Sequence, residues 1–215
     1  MITETKLVLN VLVLYLPIPI FWALFAQQSS RWVFQASKLD GDIIFYKIKP
    51  DQMIVLNSFF GVLSIPIFER YFYPAIAKIG IKTSLHKITL GGVFAAVGFL
   101  FAALVEFYSE RELINILWMF PQYFFLAMAE VLVYTANLNF SYTEAPASMK
   151  SVIMCCMYLT VAAGSLIVVL ISGVAFFDSL VYEFLFFAGI MLFDILIFAI
   201  LASRYKYVDQ EKIAS

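Results

Sequence analysis

Six long apolar stretches restrict what this chain can fold into. Each is close to the roughly 20 residues that an α-helix needs to cross a lipid bilayer. They lie at residues 7–28, 53–77, 88–107, 114–139, 152–174 and 180–202, and the segments between them hold nearly all of the charge. We therefore predict an all-α integral membrane protein, with one unit of six transmembrane helices over residues 1–215.

Composition excludes several classes of soluble protein. Hydrophobic residues make up 63% of the chain and charged residues 13%, whereas soluble domains hold about 45–50% and about 25%. This balance excludes a soluble enzyme, a disordered region and a basic nucleic-acid-binding domain. The net charge of −1 identifies no partner, so we expect the chain to contact the lipid bilayer and no nucleic acid.

The positive charges outside the predicted spans are divided unevenly between the two sides of the membrane. Five lie on one side, and eight on the side of both termini: Lys6, Lys78, Lys82, Lys87, Lys150, Arg204, Lys206 and Lys212. Cytoplasmic segments of membrane proteins carry the excess of Lys and Arg. We therefore predict that both termini, including a tail at 203–215, are cytoplasmic. Arg70 is the one basic residue clearly inside a predicted span.

A single carboxylate near the middle of the fourth predicted span is the strongest functional signal. An ionisable residue is costly inside a membrane and usually marks a functional site. Tyr123, Glu130, Tyr134, Asn137 and Ser141 share one helix face, because residues four and seven apart lie in register. This polar stripe predicts a helix that lines a watery cavity. An internally paired, structural glutamate is the alternative.

Three other spans carry similar polar stripes. These are Tyr15, Trp22 and Ser29 on the first, Asn57, Gly61 and Ser64 on the second, and Tyr158, Ser165 and Ser172 on the fifth. Each stripe alone is equally consistent with hydrogen bonds between helices. Together, the four stripes favour an aqueous pathway.

The remaining charged residues of the spans give weaker signals. Glu69 and Arg70 lie late in the second span and fit either a gate or a solvated helix end, while Asp194 and Glu183 have no polar stripe beside them. The chain contains no P-loop, no serine nucleophile elbow and no zinc-protease motif. We therefore predict that it is not an enzyme and binds no metal or cofactor.

Several strings of residues resemble animal proton-coupled oligopeptide transporters. Residues 16–25, LPIPIFWALF, resemble the seventh helix of that family, and FPQYF at 120–124 with Glu130 and Val131 resembles its tenth helix. The loop after the tenth helix is similar to residues 140–151. The strings occur in the family's order and spacing, and the resemblance covers essentially the whole chain.

The resemblance implies the C-terminal half of a twelve-helix major facilitator transporter, in which two six-helix halves enclose a central site. It implies that Trp22, Asn57 and Glu130 line a pocket for di- and tripeptides, with Glu130 holding the peptide ammonium group. To this substrate-binding set we add Phe21 and Tyr134. We assign Glu69 and Gln28 to gating or proton coupling.

The chain also departs from the family pattern. The family's N-terminal half and its Glu-x-x-Glu-Arg motif are absent, and only residues 108–113 stand where animal members carry a large extracellular domain. Individual family residues are replaced by Asn10, Ala26, Met157 and Ser165.

Two functions follow from the resemblance and these departures. We predict proton-gradient-driven symport of di- and tripeptides across the plasma membrane, together with an N-terminal six-helix half or a second copy of the chain. The alternative is a non-transporting truncated paralogue, or a gene fragment, that associates with another six-helix half.

Overall fold

Six helical spans form the fold. The computed structural model describes residues 2–43, 46–146, 148–171, 177, 179–205 and 207. Within this part of the chain, six helical stretches are long and apolar enough to cross a membrane: Val8–Ser37, Pro50–Lys78, Ser84–Ser109, Ile116–Glu144, Lys150–Leu170 and Leu180–Arg204. We call these the first to sixth spans. They confirm the predicted all-α fold with six membrane helices.

Irregular turns interrupt the first and second spans, a 3₁₀ turn begins the fourth, and the other three are single helices. The first span comprises most of α1 (Ile2–Tyr15), then α2 (Ile18–Phe25), a 3₁₀ turn and α3 (Arg31–Ser37). The second comprises a 3₁₀ turn, α4 (Ile54–Ile67), a π-helical turn (Phe68–Phe72) and α5 (Tyr73–Lys78). The third is α6 (Ser84–Ser109), and the fourth is a 3₁₀ turn followed by α7 (Phe120–Glu144). The fifth is α8 (Lys150–Ile171), and the sixth is α9 (Leu180–Arg204).

The break in the first span lies at a pair of prolines. Pro17 and Pro19 have no N–H group, so the carbonyls of Val13 and Tyr15 lose their usual helical donors. The Leu16 amide donates instead to the Val13 carbonyl at 3.4 Å, and α2 begins after Pro17. The prolines therefore divide this span into two helices.

The first and fourth spans are longer than the sequence predicts. The predicted first span ends at Gln28, but α3 continues to Ser37, because Trp32 and Gln35 are fully buried and Gln35 donates to the Ala102 carbonyl. Arg31 therefore also lies inside a span. The fourth span continues to Glu144 rather than ending at residue 139.

Some predicted features lie outside the described residues. They include Ser172 and the rest of the predicted fifth span after residue 171. Of the predicted tail, residue 206 and residues 208–215 also fall there.

The third span lies at the centre of the bundle and packs most extensively against the fourth and sixth spans. Two glycines permit this close packing. A Cβ atom on Gly91 would lie 2.6 Å from Cγ2 of Val133, and one on Gly92 would lie 2.5 Å from Cδ1 of Ile195. These contacts agree with the close packing that small residues provide between membrane helices.

The segment between the first and second spans is tied to the segment before the fourth. Strands β1 (Asp42–Ile43) and β2 (Tyr46–Lys47) pair antiparallel. The Asp40 amide donates to the Ile114 carbonyl at 3.0 Å, and the Ile116 amide donates to the Asp40 carbonyl at 2.7 Å. These bonds hold the first, second and fourth spans together at this end.

The second and fifth spans lie at the edge of the bundle. In each, only 22% of the most apolar stretch is buried, against 56% for the third span and 61% for the fourth. Both therefore present most of their side chains outward from the bundle, to lipid or to another protein.

Candidate substrate-binding site

The central carboxylate of the fourth span contacts the second span. The Nδ2 atom of Asn57 donates a hydrogen bond of 2.8 Å to Oε2 of Glu130. Asn57 is 6% exposed, and Glu130 is half-buried. Two residues that the sequence predicts for one site thus lie in direct contact, although they are 73 positions apart.

Aromatic side chains line the neighbouring first and fourth spans. The rings of Trp22 and Tyr134 lie edge to face with centroids 6.4 Å apart. The Tyr134 side chain lies near that of Tyr158 on the fifth span. Gly164 lets the fifth span approach closely, because a Cβ atom at this position would lie only 2.6 Å from Cβ of Trp22 and 2.7 Å from the Pro19 carbonyl oxygen. Three spans therefore meet around Trp22 and Tyr134.

Phe21 lies deeper in the bundle than its predicted role implies. It is 4% exposed, its ring meets that of Trp22 edge to face at 5.2 Å, and it lines a small cavity with Asp194 of the sixth span. These contacts place Phe21 in the packing that supports Trp22. A role in substrate contact stays a prediction.

The two predicted gating residues lie near opposite sides of the membrane. Gln28 is 5% exposed in the second half of the first span, whereas Glu69 is exposed in the second half of the second span. Consecutive spans run in opposite directions, so these two halves face opposite sides. A role of either residue in gating or proton coupling stays a prediction. Oε1 of Gln28 is buried and has no hydrogen-bond partner within the described residues.

The polar stripe of the fourth span does not line one watery face. Tyr123 is fully buried and packs against Trp32, with ring centroids 5.0 Å apart. Ser141 is also fully buried and is hydrogen-bonded to Tyr15. Both ends of the stripe therefore join helices within the bundle, and only its middle, around Glu130 and Tyr134, is accessible.

Two ion pairs join the first span to the sixth and third spans, and neither was predicted from the sequence. Nε of Arg31 lies 2.9 Å from Oε1 of Glu183 on the sixth span, and Nζ of Lys38 lies 2.7 Å from Oε1 of the fully buried Glu106 on the third span. The spacing of Gln28, Arg31, Gln35 and Lys38 could have revealed them, because steps of three and four residues are typical of one helix face.

The site around Glu130 offers one carboxylate, one amide and an aromatic wall. A carboxylate beside aromatic rings suits an organic cation such as an ammonium group. Among the residues that the structure describes, no group of three or more His, Cys, Asp or Glu side chains could hold a metal ion.

The chain as a whole matches a known family. The sequence model of the POT family matches residues 1–208. The chain belongs to the POT family. This confirms the family prediction made from the sequence strings.

Relatives with curated descriptions share part of the chain. Peptide transporter family 1 of Drosophila melanogaster is 47% identical over 111 residues, which cover 52% of this chain and 15% of that protein. Solute carrier family 15 member 1 of Homo sapiens is 44% identical over 114 residues, which cover 53% of this chain and 16% of that protein. These relatives are transporters rather than enzymes, which confirms the predicted class.

Solved POT family structures share the fold over nearly the whole chain. An auto-inhibited POT family peptide transporter is similar with a TM-score of 0.85 and 29% identity, covering 96% of this chain and 43% of that one. The POT family transporter PepTSo is similar with a TM-score of 0.81 and 28% identity, and the match covers 94% of this chain and 42% of that one. The chain therefore spans less than half the length of these transporters, and its fold is a six-helix bundle of the major facilitator type.

Proposed function

We propose that the chain is the C-terminal six-helix half of a symporter that carries di- and tripeptides by alternating access. In this proposal the proton gradient drives uptake, and no other cofactor takes part. Membership of the POT family and the names of the relatives support peptide transport. Proton coupling and the length of the peptide are inferences from the resemblance.

The contact between Asn57 and Glu130 carries this proposal. The Asn57 amide stabilises the Glu130 carboxylate by donating one hydrogen bond to it. The carboxylate oxygens keep further acceptor sites for a ligand. The free ammonium group of a peptide supplies both a positive charge and three donors. Glu130 thus anchors the amino terminus, while Trp22 and Tyr134 contact the rest of the peptide.

A second six-helix bundle completes the pathway. The outward faces of the second and fifth spans are poorly buried, and the accessible edge of Glu130, Tyr134 and Tyr158 lies between those spans. An N-terminal half covers this face in the proposed transporter, and a second copy of the chain is the other candidate.

We propose the plasma membrane as the location, with both termini in the cytoplasm. The positive charges at the two sides support this orientation. Labelling intact cells with an impermeant maleimide tests it in a Cys155→Ser, Cys156→Ser background. Lys47→Cys reacts from outside and Lys82→Cys does not, and the reverse pattern inverts the orientation.

The second candidate is a non-transporting membrane protein that only associates with another half. The fifth span favours it, because the resemblance predicts a pocket Trp and Asn where this chain has Met157 and Ser165. Met157 is 1% exposed, so its side chain presents almost no surface to a substrate.

Reconstitution distinguishes the two candidates. The chain is placed in proteoliposomes alone, and together with the N-terminal half of a related peptide transporter, and dipeptide uptake is measured with and without an inward proton gradient. We expect uptake only from the pair and only with the gradient, and Glu130→Gln reduces it while the exposed control Glu112→Gln does not. A stable pair without uptake supports the non-transporting protein, and uptake by the chain as a dimer identifies a second copy as the other half.

A further inference from the structure

Asp194 is a buried carboxyl group that the proposed transport cycle does not use. It lies in the middle of the sixth span and is 4% exposed. Its Oδ1 atom is fully buried and has no hydrogen-bond partner within the described part of the chain. Burying a polar atom without a hydrogen-bond partner costs free energy and is rare in native proteins.

The surroundings of Asp194 are apolar. It lines a cavity of about 10 Å³ together with Pro17, Ile18, Phe21, Ile88, Val133, Ile195 and Phe198. This volume is close to the minimum for one water molecule. None of these other side chains is charged, so the cavity offers the carboxyl group no counter-charge.

Titratable groups on the surrounding spans are engaged elsewhere. The Tyr15 hydroxyl is hydrogen-bonded to Ser141, and Glu130 accepts from Asn57. On the third span, Lys87 lies over the Tyr73 ring at 4.0 Å, Glu106 is paired with Lys38, and His86 is exposed. On the sixth span itself, Glu183 is paired with Arg31. None of them lines the cavity.

A neutral carboxyl group fits this cavity, whereas a carboxylate does not. An isolated negative charge inside the bilayer has no compensation here. The neutral acid instead has one O–H donor. Such a donor suits the adjacent break in the first span, because Pro19 supplies no N–H group to the carbonyl of Tyr15.

We propose that Asp194 is a proton-binding site inside the membrane. Its carboxyl group takes one proton from water and, while it stays neutral, its O–H group donates a hydrogen bond to the backbone at the Pro17 break, directly or through one water molecule. The proton is released when the first and sixth spans separate and water reaches the carboxylate. This assignment does not depend on peptide transport.

Carbon-13 NMR of the purified chain in lipid nanodiscs tests the site. The chain contains six aspartates, at positions 40, 42, 51, 178, 194 and 209, and all are labelled at the carboxyl carbon. We expect one of the six signals to keep the chemical shift of a protonated acid at pH 7. Asp194→Asn removes that signal, whereas the control Asp42→Asn, at an exposed position, leaves it in place.

The wild-type spectrum keeps the proposal testable even where the variant does not fold. Six signals that all titrate like exposed carboxylates would overturn it. A protonated signal that survives in Asp194→Asn would assign the proton to another residue and overturn it as well. Neither result bears on uptake by the reconstituted transporter, so failure here is distinct from failure of the proposed function.

Discussion

Nδ2 of Asn57 lies 2.8 Å from Oε2 of Glu130 and joins the second span to the fourth. The bond fixes the orientation of the Asn57 amide, because its N–H donor must point toward the carboxylate. Oδ1 of Asn57 is then buried and has no hydrogen-bond partner among the described residues. The pair thus presents a carboxylate and an amide acceptor, and an ammonium group is a donor to both.

Removing the amide weakens the site without removing its charge. In Asn57→Ala, Glu130 loses its donor, and a hydrogen bond to a charged group contributes about 1.5–3 kcal/mol. We expect dipeptide affinity in the reconstituted pair to fall roughly 10- to 100-fold, as measured by competition binding. The neighbouring exposed Ser58→Ala serves as the control. Unchanged affinity in Asn57→Ala would show that the amide does not hold the carboxylate for substrate.

The contact between the first and fifth spans depends on Gly164. A Cβ atom at this position would lie 2.6 Å from Cβ of Trp22 and 2.7 Å from the Pro19 carbonyl oxygen. Gly164→Ala therefore forces the two spans apart, and overpacking of this kind costs about 1–3 kcal/mol. We expect a lower thermal midpoint in nanodiscs. Gly189→Ala is the matched control, because no atom lies within 4 Å of its added Cβ. Equal midpoints for the two variants would contradict the packing.

The ion pair of Lys38 and Glu106 stabilises the end of the first span. Glu106 is fully buried, whereas the Lys38 side chain is 39% exposed. Lys38→Met leaves a buried carboxylate without its partner, and we expect a loss of about 3 kcal/mol, at the low end for buried pairs. The double variant Lys38→Met, Glu106→Met recovers most of the lost stability. Chemical unfolding measures the free energy of unfolding of the single and the double variant.

A surface ion pair provides the comparison for Lys38. Lys47 and Asp42 are 3.6 Å apart and mostly exposed, so Lys47→Met changes stability by less than about 1 kcal/mol. Equal losses of stability for Lys38→Met and Lys47→Met would contradict this account, because burial of Glu106 would then not strengthen its ion pair.

Tyr205 attaches the end of the sixth span to the end of the fourth. Its hydroxyl donates to Oε2 of Glu144 at 2.9 Å. Burial, followed by this hydrogen bond and the nearby negative charge, raises the pKa of Tyr205 above its ordinary value of 10.0. The phenol therefore ionises more readily in the unfolded chain than in the folded one. Its stabilising effect is fully present below about pH 10 and decreases as the pH rises further.

The variant Tyr205→Phe tests this attachment. We expect it to be about 1–2 kcal/mol less stable than the wild type at pH 7. The difference should shrink above about pH 10, because phenylalanine does not ionise. Thermal midpoints at neutral and alkaline pH measure both. A difference that stays constant with pH would contradict the role of the Tyr205 hydroxyl.

The apolar runs were sufficient to predict the six spans, but not their ends. The length of an apolar run indicates how much of a helix contacts lipid. It does not show that a helix continues where polar residues pack against protein. Gln35 and Arg31 follow the apolar run of the first span, and both find partners on other spans. Helical spacing of polar residues was the overlooked signal.

Contacts between spans were predictable only where the family resemblance supplied them. The resemblance grouped Asn57, Glu130 and Trp22, and the structure brings Asn57 against Glu130. The polar stripe alone grouped Tyr123 and Ser141 with Glu130, although both are buried between helices. Helix periodicity assigns a residue to a face, but only packing decides whether that face meets water or another helix.

The central claim is that Glu130 binds the ammonium group of a peptide, and a double-mutant cycle tests it most directly. Affinities of the reconstituted pair, with Glu130 or Glu130→Gln, are measured for a dipeptide and for its N-acetylated form. Removing one partner of a buried charge pair costs roughly 2–5 kcal/mol, or about 30- to several-thousand-fold in affinity. We predict that either change alone causes most of this loss and that the second adds little. Losses that simply add would contradict the account, because Glu130 would then act independently of the peptide's amino terminus.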